Sequence, residues 1–299
     1  MNAYRKTILP HPTFYIVNFT KNESLPYVLF IHGGPGLNCG ILEHLIQNHH
    51  LFNSLQCNVI LYDQRNCGRS KKTNKLVQHQ DNINDLNEIM LYIKNHSHLN
   101  IQALVGHSYG AKLLVDYYNK FSSQIPGVFI STANSIITPR LNNLMLDLSY
   151  LKKTNPKKYT KYLKKFNQLN ADNVWDVSKE LAPLFHENKD RHFLYWANID
   201  SYNLVQNIQQ HINLPIDTET FDSVREDLYS KKENFSVDIN QLKIRKLWIN
   251  GFHDFVMNGH AGVISKNNGV VTFFKSAHYP HIEESEYFNE ILNGFIKGV

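Results

Sequence analysis

A serine, an aspartate and a histidine occur in chain order, each just after an apolar, β-prone run. Ser108 lies in Gly106-His107-Ser108-Tyr109-Gly110, entered by the run Ile101 to Val105 and left by the helix-like run Ala111 to Phe121. This is G-x-S-x-G in a strand–turn–helix setting. The turn has no room for bulky side chains beside the serine, hence the two glycines. It sets the hydroxyl at a helix N-terminus, where free N–H groups and the helix dipole favour a developing negative charge. A serine hydroxyl needs a base to take its proton, and the base needs an acid to orient it. The run Ile244 to Ile249 is followed by Asn250-Gly251-Phe252-His253-Asp254, which makes Asp254 the acid. The run Val270 to Phe274 is followed by Lys275-Ser276-Ala277-His278-Tyr279-Pro280-His281, which makes His278 the base and His281 its rival. The chemistry is acyl transfer through a covalent serine intermediate.

An oxyanion needs two N–H donors. One is the backbone of Tyr109, directly after the nucleophile. The other comes from His32-Gly33-Gly34-Pro35-Gly36, where absent side chains let the backbone approach a substrate. Gly34 is the expected donor and Gly33 its neighbour. Cys67 has no adjacent base and reads as structural, with modification near the site as the alternative. His44, His49, His50, His96 and His98 read as surface side chains. No H-E-x-x-H or similar spacing occurs, so neither metal nor cofactor is expected.

These loops need a scaffold. Thr13 to Phe19 reads as a strand that opens the sheet near its edge, and Tyr27 to Ile31 and Asn58 to Tyr62 as short continuous apolar strands, Tyr27 to Ile31 covered on both faces. Leu37 to Leu55 is helix-rich. Asp81 to His96 carries Ile83, Leu86, Ile89, Met90 and Ile93 at helical spacing. Gly127 to Ser131 is the next strand. Alternating strands and helices predict an α/β fold with a mostly parallel sheet flanked by helices. The alternation lapses between residues 134 and 238, where helical patterns replace it, then resumes and closes with a helix from Glu283 to Ile296. The expected organisation is a core of residues 1–133 and 239–299 with an all-helical cap of residues 134–238 over the carboxyl edge of the strands.

The 299 residues, 42% of them hydrophobic, can bury an ample core. Net charge is +5, too mild to imply nucleic acid. Lys152 to Lys165 holds seven lysines and no acidic residue, and reads as a solvated helix face. Three cysteines, no uninterrupted apolar leader and no stretch near the ~20 apolar residues of a membrane span lead to the expectation of a soluble cytoplasmic protein without stable membrane insertion. Nothing in the pattern specifies an oligomeric state.

His32-Gly-Gly-Pro-Gly36, Asp63-Gln-Arg-Asn-Cys-Gly-Arg-Ser70 and Gly106-His-Ser-Tyr-Gly110 together resemble the α/β-hydrolase subfamily of proline iminopeptidases and tricorn-associated aminopeptidases, whose first two motifs read H-G-G-P-G and D-Q-R-G-x-G-x-S. The resemblance implies an α/β-hydrolase fold with an inserted helical cap, a serine acyl-enzyme, and release of an N-terminal residue, often proline, from short peptides. It puts acid and base on Asp254 and His278. Asn66 stands where the family has Gly. Family members bind the substrate's amino group with cap glutamates; here Trp175-Asp176 and Asp190-Arg191-His192-Phe193 are loose echoes at shorter spacing. Asp176, Glu180, Glu187 and Asp190 are the carboxylates that could take that role, each reading otherwise as an exposed helix acid, and the substrate-binding candidates are Gly33, Trp175, Glu187, Asp190 and Trp196. The rivals are a carboxylesterase, amidase or lactonase using the same triad, and a silent hydrolase fold used for binding.

Overall fold

A computed structural model describes residues 4–49, 51–132, 137–170, 173–181, 184–230, 241–257, 268–273 and 275–298. His50, Phe274 and the expected cap boundaries fall outside them.

The strands are β1 (Arg5–Leu9), β2 (Ile16–Thr20), β3 (Tyr27–Ile31), β4 (Asn58–Tyr62), β5 (Ile101–His107), β6 (Gly127–Ile130), β7 (Lys246–Gly251) and β8 (Asn268–Phe273). They form one sheet in the order β1-β2-β4-β3-β5-β6-β7-β8. β1 and β2 are antiparallel to their neighbours, and the pairs from β4 to β8 are parallel. This is the expected α/β architecture.

Strand alternation assigns the core. Val28 and Phe30 of β3 join Val59, Leu61, Ala103 and Val105 on one face, covered by α1 (Gly40–Asn48) and the last helix. Tyr27, Leu29 and Ile31 join Ile60, Leu104 and Phe129 on the other, covered by α2 (His79–His96) and α3 (Tyr109–Phe121). With both faces buried, period-2 alternation merges into the continuous apolar runs seen in the sequence. α2 contributes Ile83, Leu86, Ile89 and Ile93, the stripe its spacing predicts.

β1 was not visible in the sequence. Its residues Arg-Lys-Thr-Ile-Leu are mostly exposed at the sheet's edge, where charge guards against edge-to-edge pairing and leaves no apolar run to read. α1 is also shorter than the helix-rich stretch from Leu37 to Leu55 suggested. The closing helix is two pieces, α10 (Pro280–Glu283) and α11 (Ser285–Lys297), numbered after the helices between β6 and β7.

Those intervening helices are α4 (Ile137–Thr154), α5 (Pro156–Phe166), α6 (Val174–Leu181), α7 (Leu184–Glu187), a 3-10 turn (Lys189–Leu194), α8 (Ile199–Ile212) and α9 (Thr218–Ser230). α4, α6 and α7 share a small core of their own around Leu144, Leu148, Leu151, Val177, Leu181 and Leu184. α5 buries only Tyr162 and leaves its lysines largely in solvent. Among the described residues no helix is long and apolar enough to cross a membrane.

Candidate active site

Parallel strands deliver their following loops to one edge. Ser108 leaves central β5, the 32–36 loop leaves its neighbour β3, Asp254 follows β7 and His278 follows β8. The site is assembled by topology before any side chain is considered.

Ser108 has φ 54° and ψ −117°, a conformation that costs a non-glycine residue about 1–3 kcal/mol. Its surroundings hold it there. The Ser108 N–H donates to Ile130 O at 2.9 Å, while its carbonyl accepts from Ala111 and Lys112 to start α3. The flanking glycines are required by contact. A methyl group on Gly106 would sit 2.6 Å from Gly110 O, and one on Gly110 would strike the carbonyls of Ile31 and His32. Tyr109 is the first residue of α3, so its N–H has no acceptor within the helix.

The 32–36 loop is pressed against this turn. A methyl group on Gly33 would come within 3.2 Å of Ser108 Cβ, and Gly34 takes φ 104°, which favours glycine. The loop is locked by the second motif. Gln64 donates its backbone N–H to His32 Nε2 at 3.1 Å and its side-chain amide to His32 O at 3.0 Å. With Nε2 accepting, His32 Nδ1 carries the proton and donates to Gly33 O at 2.8 Å. Burial holds this imidazole's pKa below the usual histidine value, in keeping with a neutral ring. Asp63 accepts from the N–H groups of Cys39 and Arg69, and Arg69 extends to Glu43 at 2.8 Å. Asn66, where relatives of this motif have glycine, has φ 62°, which asparagine tolerates.

His278 Nδ1 lies 3.0 Å from Asp254 Oδ2, and both residues are buried. His281 is also buried, under Phe30 and Phe288, and its Nδ1 has no partner among the described residues. Burial, reinforced by His278, pushes its pKa down to about 3. It is a neutral core residue, and Asp254 pairs with His278.

Two residues that spacing did not flag hold the base loop. His107 Nε2 donates to His278 O at 2.8 Å, the rings lying 4.9 Å apart. Tyr195 O accepts from His278 N at 3.0 Å. The histidine one residue before Ser108 thus ties the serine turn to the loop that follows β8. The signal was present in G-H-S, but its partner is 171 residues away.

The other candidates separate. Trp196 is buried and stacks on Tyr279 at 4.2 Å, beside His278. Glu187 and Asp190 are exposed on α7 and the 3-10 turn. Trp175 is the second residue of α6, but its side chain lies outside the described residues. Cys67 is fully buried, and burial pushes its thiol up to about 12, which fits the structural reading of this residue. Cys39 and Cys57 are buried and unpaired as well. Among the described residues no group of three or more His, Cys, Asp or Glu side chains could hold a metal.

Residues 26–285 match the family model described as alpha/beta hydrolase fold. A proline iminopeptidase of Saccharolobus solfataricus is 27% identical over 281 residues, 90% of this chain and 84% of that one. One from Thermoplasma volcanium is 23% identical over 95% of this chain and 92% of its own. Among solved structures, a proline iminopeptidase-related protein from Thermus thermophilus aligns with TM-score 0.67 at 16% identity, covering 98% of this chain and 97% of the other. An esterase from Exiguobacterium antarcticum aligns with TM-score 0.60 at 16% identity, over 95% of each chain.

Proposed function

The chain belongs to the alpha/beta hydrolase fold family, and from that premise we propose that it is a serine hydrolase working through an acyl-enzyme, as an aminopeptidase that releases N-terminal residues from short peptides in the manner of proline iminopeptidases. The observation that carries the reading is the Ser108 turn: a non-glycine residue held at φ 54° and ψ −117° at the head of a helix. Such strain persists only where surrounding structure over-determines it, and it presents a side-chain oxygen that ordinary turn geometry would fold away.

In this reading Ser108 Oγ attacks the acyl carbon while His278 Nε2 takes the hydroxyl proton. The N–H groups of Tyr109 and Gly34 hold the oxyanion. His278 returns the proton to the leaving amine as the acyl–nitrogen bond breaks. Water then loses a proton to His278 and attacks the acyl carbon, and His278 returns that proton to Ser108 Oγ as the acyl–oxygen bond to the serine breaks. Asp254 holds the imidazole with Nδ1–H toward itself and stabilises its cationic form.

Residues 134–238 act as a cap over this edge. Support comes from three contacts: Tyr195 with His278, Trp196 with Tyr279, and Asp217 N donating to Gly36 O at 2.8 Å. The substrate in this reading is a small molecule or short peptide, with Gly33 against the Ser108 turn and Trp196 stacked on Tyr279 as the residues that would line its site. The buried, unpaired cysteines support a cytoplasmic setting.

A second reading, a carboxylesterase, amidase or lactonase, is favoured by the exposure of Glu187 and Asp190, since a substrate ammonium taken out of water needs a carboxylate beside it. Rates on prolyl- and alanyl-arylamides, the same compounds with a blocked amino group, and p-nitrophenyl acetate and butyrate decide between the two. Turnover confined to the free amine supports the aminopeptidase. Fast ester hydrolysis indifferent to the amino group overturns it in favour of the second reading.

A further inference from the structure

On the other side of the Ser108 turn lies a second histidine–carboxylate pair that the catalytic reading does not use. His79 opens α2 and is buried. Its Nε2 is 2.6 Å from Asp116 Oδ2, and its Nδ1 is 2.9 Å from the Tyr109 hydroxyl. Asn82 Nδ2 lies 2.9 Å from the same hydroxyl. One assignment gives every proton in these contacts an acceptor. Asp116 accepts, so His79 Nε2 donates to it. The Asn82 amide donates to the phenol oxygen. Tyr109 then has its own proton to give, and His79 Nδ1 is there to take it. The chain of donors runs Asn82 to Tyr109 to His79 to Asp116. Burial raises the Tyr109 pKa far above the usual phenol range, so the phenol keeps the proton this direction requires. Burial would raise the Asp116 pKa, but His79 and Lys112 outweigh it and hold the carboxyl below its ordinary value.

Tyr109 is also the residue whose backbone N–H faces the oxyanion in the mechanism above. Its ring packs with Val77, Val224 and Leu228, two of them on α9, and Asp227 of α9 accepts the His79 N–H at 2.9 Å. We propose, resting on the serine-hydrolase reading, that His79, Asn82 and Asp116 are positioning residues for the oxyanion hole: they fix the Tyr109 side chain from behind the nucleophile turn, and so the direction of its peptide N–H, while docking α9 to the same point. The chain moves no proton during turnover. It removes rotational freedom from one of the two residues that carry an oxyanion donor, and such donors work because they are aimed before the charge appears.

The test is a double-mutant cycle on Tyr109→Phe and His79→Ala, with His79→Gln as the conservative variant that keeps an acceptor and a donor. Steady-state kinetics are read beside inhibition by a trifluoromethyl ketone, which forms an oxyanion on the serine. Each single variant is expected to lower kcat about tenfold with KM within about twofold, and to weaken ketone inhibition by a similar factor. The double variant is expected to be no worse than either single, because both break one chain. His79→Gln is expected to recover most of the loss. Melting-temperature shifts with kcat and ketone affinity unchanged would make the network purely structural and overturn the proposal, as would additive losses. Failure of the underlying reading looks different: wild-type protein would then escape fluorophosphonate labelling, and Ser108→Ala would leave turnover intact.

Discussion

Two aspartate–histidine pairs flank the Ser108 turn. Asp254 and His278 come from loops after β7 and β8, 24 residues apart, and the ring's second nitrogen makes no hydrogen bond among the described residues. Asp116 and His79 come from α3 and α2, 37 residues apart, and the second nitrogen is taken by the Tyr109 phenol. Both pairs are within hydrogen-bond distance, and Asp254, His278 and His79 are buried while Asp116 is half-buried. What separates them is the vacancy on the imidazole. A base needs a free lone pair beside the nucleophile, while a fully bonded imidazole can only hold its neighbours still. In the proposed mechanism it is the open nitrogen of His278, and not the pairing of residue types, that marks the catalytic pair.

The comparison breaks if the wrong pair controls turnover. The largest effect is expected from Ser108→Ala and His278→Ala, each lowering kcat by roughly 10⁴–10⁶-fold. Ser108→Ala also loses fluorophosphonate labelling, whereas Cys67→Ala keeps it. His281→Ala should cost stability and leave kcat within about tenfold, since it lies in the core away from Asp254. The reverse order for the two histidines would reassign the base.

Asp254→Asn is expected to lower kcat by about 10⁴-fold, because the amide favours the wrong imidazole tautomer. Asp116→Asn keeps an acceptor for His79 and is expected to cost less than about tenfold, with KM unchanged. Measuring both on one arylamide sharpens the contrast more than any other single comparison.

Acid should separate the buried histidines from the catalytic chemistry. His281, His107 and His32 all have pKa values below the ordinary histidine value, chiefly through burial. The unfolded chain therefore binds protons first. Their contribution to stability is fully present above about pH 6.5 and is lost progressively as pH falls toward 3. Melting temperature should drop through that window, and His281→Phe should flatten the drop. An unchanged slope in His281→Phe would mean that its burial does not govern acid stability.

The smallest effect is expected on α5. Replacing Lys157, Lys158 and Lys161 with Gln should leave kcat/KM for a neutral arylamide within about twofold, because these side chains sit on a solvated helix face. A large loss would give the lysine stretch a role in substrate attraction.

Legibility differed between the regions for a physical reason. Continuous apolar runs mark a chain that buries a parallel sheet on both faces, and β3 through β7 were readable on that basis. β1 was not, because an exposed charged edge strand has no apolar signature. Asn66 looked like a departure, yet its positive φ shows that the backbone demand persists and a second residue type meets it. The helices between β6 and β7 were legible as helices. Where their carboxylates point was not, since helical periodicity encodes which face is apolar and carries no information about what stands opposite.

From its sequence alone this protein is determined to be an α/β chain with a nucleophile-type turn, a glycine-rich loop one strand away, and an acid and a base in the order that topology can converge. Local sterics and burial enforce those features, and both are written in neighbouring residues. Tertiary structure alone decided that Asp254 meets His278 while His281 sinks into the core, that His107 clamps the base loop, and that His79 and Asp116 close on Tyr109. Each is an encounter between residues distant in the chain, and a hydrogen bond's partner is set by where the packed elements bring it.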